Sequence, residues 1–457
     1  MSGVLVLLGA TGDLAARYLL PALVRLRCEG VLPDGFAVLG VGREDEHDAG
    51  FRDRAAAALR EHAADLPPEH RDGLVERLHY LLADVTDPDA LGRVLAASRE
   101  LADGPPVIYL ALPNTLFGDV LAALGGIGGG LPPDTRLVVE KPFGVDLADA
   151  RRLNALLADL LPERAVFRVD HFLAMQTVLN LLGLRFANRI LEPVWNARHV
   201  ERVDIVFDET LGLEGRAGYY DTAGALRDML QNHLLQLLCL VAMEPPTSLG
   251  ERDLRDRKVD VLRAVRPLDG VAAEYSVRAR YTAGRIGGRE LPDYVAEDGV
   301  DPGRGTETFA RLTLHVDNWR WAGVPFVLRS GKALGRDRQE VVVTFRPVPH
   351  QPFGGGPVAP DVLRLTLDPD RIAVELNLNG AGDPFRLERA ELAADLAATS
   401  LPPYAQLLAG VLAGDPRLSL RGDEAEEQWR IVEPVLAAWA AGEVPLREYP
   451  AGSAGPG

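Results

Sequence analysis

Directly after the apolar run Val4–Leu8 the chain reads Gly9-Ala10-Thr11-Gly12-Asp13-Leu14. Glycines there let a backbone approach a pyrophosphate and turn into a helix whose N-terminus favours negative charge. The spacing G-x-x-G-x-x-A is looser than the standard dinucleotide fingerprint, and any strand-to-helix turn favours glycine. Its position, first strand into first helix, is what points to a dinucleotide. A second apolar run ends in Gly40-Val41-Gly42-Arg43. An acid at that point suits the ribose hydroxyls of NAD, whereas an arginine suits the 2′-phosphate of NADP. Arg43 therefore favours NADP, with NAD as the alternative and a solvated loop charge as the bland reading. A third run ends in Ala83-Asp84-Val85, near where an adenine or its ribose would lie.

Three further segments place polar groups where apolar ones would be ordinary. Lys141 closes the run Val138-Val139-Glu140, and Asp170-His171 close Phe167-Arg168-Val169. In a doubly wound sheet the carboxyl ends of strands are where ligands bind. His233 flanks the stripe Leu226, Leu230, Leu237, Val241 and faces inward. A lone inward histidine is more often a satisfied core residue. Glu209 and Asp228 nearby in sequence, and Asp170 as an available carboxylate, shift it toward a general base, because imidazole titrates near neutrality and a carboxylate fixes its tautomer. The nine histidines show no metal-ligand spacing and Cys28 and Cys239 no CxxC, so no metal is expected. Of 49 basic residues only Lys141, Lys258 and Lys332 are lysine, as if a compact ammonium were needed at a few places.

These residues need elements to carry them. Apolar runs at 4–8, 36–41, 78–83, 107–112, 136–139 and 165–169 alternate with helix-like stretches at 13–27, 49–64, 87–101, 116–124 and 147–161. That alternation predicts an α/β domain over 1–172, doubly wound on a mainly parallel sheet, with Pro21 kinking the first helix. Beyond it come long helices at 173–191 and 222–243 and strands at 202–207, 309–316, 341–345, 363–367 and 372–378. Strands gathered without intervening helices predict an α+β domain over 173–450 with a large antiparallel sheet. Residues 347–360 are expected as a long loop and 451–457 as a disordered tail.

With 457 residues and 47% apolar composition the chain can fill more than one core. A net charge of −17 argues against nucleic acid as a partner. No apolar run is long enough to span a bilayer, and the opening residues read as a strand and not a signal. Two cysteines in apolar helical contexts read as buried thiols, suited to a reducing cytoplasm.

The motifs GATGDLA, EKPFGVD, RVDH, NLLGLRFAN, EGRAGYYD, GALRDMLQNHLLQ, AMEPP and VPFVLRSGKAL resemble, in order, those of the glucose-6-phosphate 1-dehydrogenase family, from residue 4 to about 440. The resemblance implies an N-terminal Rossmann domain, a β+α domain with a big antiparallel sheet, and homodimers or homotetramers built through that sheet. It implies oxidation of a hexose phosphate at C1 to a lactone, with NADP or sometimes NAD reduced. It makes His233 the general base, Asp170 its orienting carboxylate, Lys141 a lysine shared by sugar and cofactor, and Pro142 the family's cis-proline. Glu209, Asp228 and Lys332 match sugar-binding positions and His171 a phosphate ligand; Lys258 matches none and is expected on the surface.

The chain departs from the family where the phosphate is read. A tyrosine and a lysine of the family motif are Phe172 and Met175, a basic position five after Lys332 is Asp337, a glutamine before proline is Asp368, and a first-helix lysine is Ala16. Losing two charge-assisted contacts costs about 3–6 kcal/mol, or about 10² to 10⁴ in affinity, unless Arg336 or Arg338 replaces them. Glucose 6-phosphate remains the first substrate to expect. A hexose unphosphorylated or otherwise modified at C6 is the alternative, and an idle NADP-binding paralogue with a regulatory role is the reading from a different class.

Overall fold

A computed structural model describes all residues except 1, 2, 34, 268, 269, 354–356, 384, 398 and 457. The chain forms two compact units, and neither is one stretch of sequence. The first comprises Met1–Ala174, Thr247–Arg255 and Thr399–Glu426, the second Met175–Pro246, Asp256–Ala398 and Glu427–Gly457. The linear division expected at 172 therefore misses two returns to the first unit. The physical reason for the later one is an apolar face: the helix Pro403–Ala413 buries Ala405, Leu407, Leu408 and Val411 in the first unit's core.

Strands are numbered along the chain. In the first unit they are β1 (Val4–Leu8), β2 (Ala37–Gly42), β3 (Leu78–Leu82), β4 (Val107–Leu110), β5 (Arg136–Val139), β6 (Val166–Val169) and β18 (Ser419–Leu420). Their order is β3-β2-β1-β4-β5-β6-β18, parallel except for β18, which pairs antiparallel with β6. This is the doubly wound dinucleotide-binding order. Every residue of β1 is buried, as a strand covered on both faces requires. Aspartates start two of the covering helices: Asp87 accepts from Asp89 N at 3.1 Å and Asp146 from Asp149 N at 2.8 Å. The first helix departs from α geometry at Ala15–Leu19, a π-helical turn closed by Leu20 N on the Ala15 carbonyl. Pro21 then sits in the first turn of Leu20–Cys28, where its missing N–H is tolerated.

The second unit carries β7 (Val200–Asp208), β8 (Val265–Pro267), β9 (Ser276–Thr282), the hairpin β10 (Gly284–Ile286) with β11 (Arg289–Leu291), β12 (Phe309–Val316), β13 (Phe326–Gly331), β14 (Arg338–Phe345), β15 (Val362–Leu367), β16 (Asp370–Asn379), β17 (Leu387–Asp395) and β19 (Leu446–Pro450). The large sheet runs β17-β16-β15-β14-β7-β13-β12-β9-β19, with β8 on β12. It is antiparallel except at β7–β13 and β9–β19.

The helix expected over 222–243 is three segments: Ala217–Ala225, a π-helix Leu226–Leu234, and Leu235–Ala242. The break falls at Gly224 (φ 70°, ψ 169°), where a Cβ would come within 2.4 Å of a Glu307 oxygen. The helix expected over 173–191 is confined to Gln176–Phe186.

Three smaller expectations are corrected. Lys258 is 1% exposed and donates from Nζ to Gln236 Oε1 at 3.1 Å, so it is no surface charge. Residues 451–456 are no loose tail: Ala451 N donates to Thr282 O, Gly452 N to Ala333 O, and Ser453 O accepts from Gly335 N; Gly457 lies outside the described residues. Cys239 is buried, but Cys28 is only partly so. Residues 354–356 of the expected loop 347–360 also lie outside the described residues, and the rest of it forms no helix or strand.

Candidate active site

The carboxyl ends of the parallel strands lie along one edge of the first sheet. Their order sets Val85 and Asp84 after β3, Arg43 after β2, the glycine loop after β1, Lys141 after β5, and Asp170 with His171 after β6. Gly9 has φ +87°, and a Cβ there would meet the Ala111 carbonyl oxygen at 2.2 Å, so only glycine closes this turn. Gly9 N and Ala10 N both donate to Val41 O, at 2.9 and 3.1 Å, and Gly12 N donates to Gly9 O. Helical backbone starts at Asp13-Leu14, so the loop delivers a helix N-terminus to the sheet edge. These residues fit a dinucleotide phosphate.

The β2 end holds a residue that the sequence reading passed over. Thr11 Oγ1 of the glycine loop donates to Glu44 Oε2 at 2.9 Å, and Tyr80 Oη donates to Glu44 O at 3.0 Å. Backbone and Thr11 hydrogen bonds hold the Glu44 carboxyl below its usual range. An anion thus stands beside Arg43, the acidic neighbour associated with NAD next to the basic one associated with NADP. Its signal was the acid one place beyond Arg43. Asp84, by contrast, is engaged locally, accepting from Thr86 N and Oγ1 at 2.9 and 2.7 Å.

At β5, Glu140 is buried and accepts a short hydrogen bond from Tyr109 Oη. Burial pushes the Glu140 carboxyl up to about 7, against the opposing pull of Tyr109 and of the Lys141 ammonium. The Lys141–Pro142 peptide is cis, as the resemblance implied. At β6, Asp170 is 2% exposed and accepts from Phe172 N at 2.9 Å, capping the turn His171–Ala174. The His171 ring lies flat on Tyr404 (centroids 5.4 Å, 15°) and edge-on to the buried Phe172 ring (5.0 Å).

In the second unit the parallel pair β7–β13 is in register at Asp208 and Gly331. The next residues therefore emerge side by side, and Lys332 Nζ meets Glu209 Oε2 at 2.6 Å. Lys332 is 4% exposed and lies 5.3 Å from the centre of the Tyr220 ring. Burial pushes the Tyr220 phenol well above its usual range, helped by the Asp228 and Glu307 carboxylates, so it stays neutral beneath the ammonium. Tyr219 Oη donates to Asp228 Oδ1 at 3.4 Å. His233 is 1% exposed, and its backbone N donates to Asn232 Oδ1 at 2.6 Å. Asp228 and His233 are five residues apart, which α geometry would set about 140° round the axis. The i→i+5 bonding of a π-helix brings them to nearly one face. That turn was not expected.

At the position five after Lys332, where the resemblance implies a basic residue, the chain has Asp337. Asp337 accepts from Thr210 N at 2.7 Å and from Thr210 Oγ1, so it holds the turn after Glu209 and offers no cation. Arg338 donates to Glu340 at 2.7 Å. With Arg336 and Arg329 it lines a cavity of about 300 Å³ whose walls do not include Glu209 or Lys332.

Family models for "Glucose-6-phosphate dehydrogenase, NAD binding domain" and "Glucose-6-phosphate dehydrogenase, C-terminal domain" match residues 6–180 and 182–457. The chain belongs to the glucose-6-phosphate dehydrogenase family. A glucose-6-phosphate 1-dehydrogenase of Mycolicibacterium smegmatis is 41% identical over 99% of this chain and 94% of its own. A solved glucose-6-phosphate dehydrogenase in complex with its substrate glucose-6-phosphate is 30% identical, with TM-score 0.89 over 100% of this chain and 95% of that one. The crystal structure of glucose-6-phosphate 1-dehydrogenase from Mycobacterium avium gives 37% and 0.88 over the same shares. The family accounts for the two-unit architecture, the Rossmann order and the mostly antiparallel second sheet. No helix among the described residues is long and apolar enough to cross a membrane.

Proposed function

We propose that this family member oxidises C1 of glucose 6-phosphate to the 1,5-lactone with NADP as acceptor. The observation that carries the reading is the buried His233, set by a π-helix on nearly one face with Asp228, in the unit whose strand ends pair Lys332 with Glu209. When bound, NADP supplies a hydride acceptor. The chain's own residues do the rest. His233 takes the C1 hydroxyl proton as the hydride leaves C1. Glu209, Asp228 and Lys332 hold sugar hydroxyls, the carboxylates accepting and the ammonium donating. The glycine loop brings a helix start at Asp13-Leu14 to the phosphate, where the first-turn N–H groups donate, Arg43 favours the 2′-phosphate, and Lys141 and Asp170 are the polar groups the cofactor unit brings to the reaction.

Replacing His233 by asparagine is expected to lower turnover by about 10² to 10⁴ with NADP affinity unchanged, measured by initial rates and a binding titration. Full turnover in the variant would remove His233 as the base.

A second substrate reading rests on Phe172, Met175 and Asp337: of the positions expected to hold the phosphate, these three carry no cation and His171 alone keeps the residue the resemblance implies. On it, the sugar lacks the phosphate or carries another group at C6. Initial rates with glucose 6-phosphate and with glucose separate the two, in wild type and in Phe172→Tyr with Met175→Lys. Under the first reading the wild type turns over glucose 6-phosphate at low KM and the double variant gains nothing. Under the second, the variant lowers that KM by about 10² or more.

We also propose a cytoplasmic homodimer or homotetramer, assembled through the large sheet. The partly exposed strands β16 and β17, with Leu378 and Leu392 facing out, and the two free cysteines support this.

A further inference from the structure

The amino-terminal starts of β7 and β13 lie at the opposite end of the second sheet from Glu209 and Lys332. The nine-residue β7 sets that separation at about 30 Å. There, within the second unit, lies an open groove of about 1010 Å³. Four arginines line it, Arg185, Arg189, Arg198 and Arg320, against two carboxylates, Glu192 and Glu244. In a chain of net charge −17 this is a local surplus of cation.

Both carboxylates are committed. Arg320 bridges them, 2.8 Å from Glu192 Oε1 and 2.9 Å from Glu244 Oε1, and Arg185 lies 3.5 Å from Glu192. Arg189 and Arg198 are exposed, and among the described residues neither guanidinium has a hydrogen-bond or ion-pair partner. Arg185 is fully buried, its guanidinium 4.5 and 5.4 Å from the Phe186 and Trp195 rings, and its Nε has no hydrogen-bond partner. Its other nitrogens donate to the carbonyls of Leu240 and Met243, both at 2.8 Å. The rim carries Trp319, the one fully exposed tryptophan of five; Trp195, Trp321, Trp429 and Trp439 are all buried.

We propose that this groove is a second ligand site, for an aromatic polyanion of the nucleoside diphosphate type. The exposed indole offers a stacking plane for a base, and Arg189 and Arg198 offer fork-shaped donors for phosphate oxygens. The buried cation of Arg185 fixes positive potential in the groove floor. The volume is that of a small-molecule cleft at the upper end of the usual range. An acidic peptide would satisfy the arginines but leave the indole plane without a flat partner, so the nucleotide is favoured. The ligand would sit against Arg185, whose donors hold the Leu240 and Met243 carbonyls at the far end of the helical run that carries Asp228 and His233.

Trp319 makes the test specific, because it lines this groove and belongs to the second unit, whereas the glycine loop belongs to the first. ADP, added without NADP, is expected to quench the Trp319 component saturably, that component being the difference between wild type and Trp319→Phe. Arg189→Ala with Arg198→Ala should weaken the titration at least tenfold, and adenosine and pyrophosphate should each bind more weakly than ADP. Any of three results overturns the proposal. One is no saturable quench. A second is an unchanged titration in the double arginine variant. The third is occupation by something else: an oligoglutamate peptide binding more tightly than ADP marks a protein-docking surface, and a spectrum that shifts with protein concentration alone marks a contact between copies of the chain.

Discussion

Glu140 is a side chain whose chemistry its surroundings alter strongly. It precedes Lys141 at the end of β5, accepts from Tyr109, and is pushed up to about 7, chiefly by burial. A carboxyl whose folded pKa is raised stabilises the fold while protonated. That contribution is complete below the unfolded value near 4.5 and is withdrawn as pH rises through 7. The shift corresponds to about 3 kcal/mol. Chemical denaturation at pH 5 and at pH 8 is therefore expected to show wild type losing about that much more stability than Glu140→Gln. Equal losses would mean the carboxylate is already ionised and satisfied at pH 5. Much at this scale was legible. A lysine or aspartate closing an apolar run is visible as sequence, and Lys141 and Asp170 do lie just beyond the ends of β5 and β6. Glu44 and Asp337 were harder, because an acid on a loop looks the same whether it faces water or holds Thr11 or Thr210. Lys258 was misread for the converse reason: nothing in its neighbours announces that Gln236 lies across from it.

The element that carries His233 is set by a residue far from it in sequence. Glu307, just before β12, accepts from Leu226 N at 3.0 Å through Oε1 and from Ala225 N at 3.1 Å through its backbone carbonyl. Its carboxyl lies under Gly224, where no side chain fits. The next residue, Thr308, accepts from Lys332 N through its carbonyl, so two adjacent residues brace both the π-helix and the Lys332 turn. Glu307→Ala leaves the buried Leu226 N–H unpaired and is expected to cost about 1–3 kcal/mol. Turnover should fall as Asp228 and His233 lose their register, while Glu307→Gln, which keeps an acceptor, should restore most of both. Thermal unfolding and initial rates check this, and a Gln variant as damaged as the Ala one would refute the brace. The strands of the first sheet were legible because parallel strands buried on both faces read as unbroken apolar runs. The π-helix was not, since its residues keep a helical apolar stripe and nothing in them announces that Glu307 accepts from Ala225 N and Leu226 N at its start. β17, Leu387–Asp395, was missed because LERAELAAD is helix-like in composition, and it is held as a strand by its pairing with β16.

Across the whole molecule, the two units were legible from the change of rhythm near residue 172, but their interleaving was not. Ala405, Leu407, Leu408 and Val411 complete the first unit's core, and β18 covers the edge of β6. Full burial of a Leu or Val side chain is worth about 1.5–3 kcal/mol, so removing three of them approaches the whole stability of a domain. The fragment 1–174 is accordingly expected to lack a cooperative thermal transition, and joining 399–426 to it by a flexible linker should restore one. A sharp transition in the short fragment would show that the returning helix is dispensable. The same interleaving has a consequence in time. The last strand of the first sheet to be made, β18, leaves the ribosome roughly 250 residues after β6. At about 5–20 residues per second the cofactor-binding sheet waits roughly 10–50 s with an open edge and an uncovered apolar face. Over that interval the nascent chain depends on whatever shields that face, so the yield of active protein should respond to the rate of translation between residues 174 and 426.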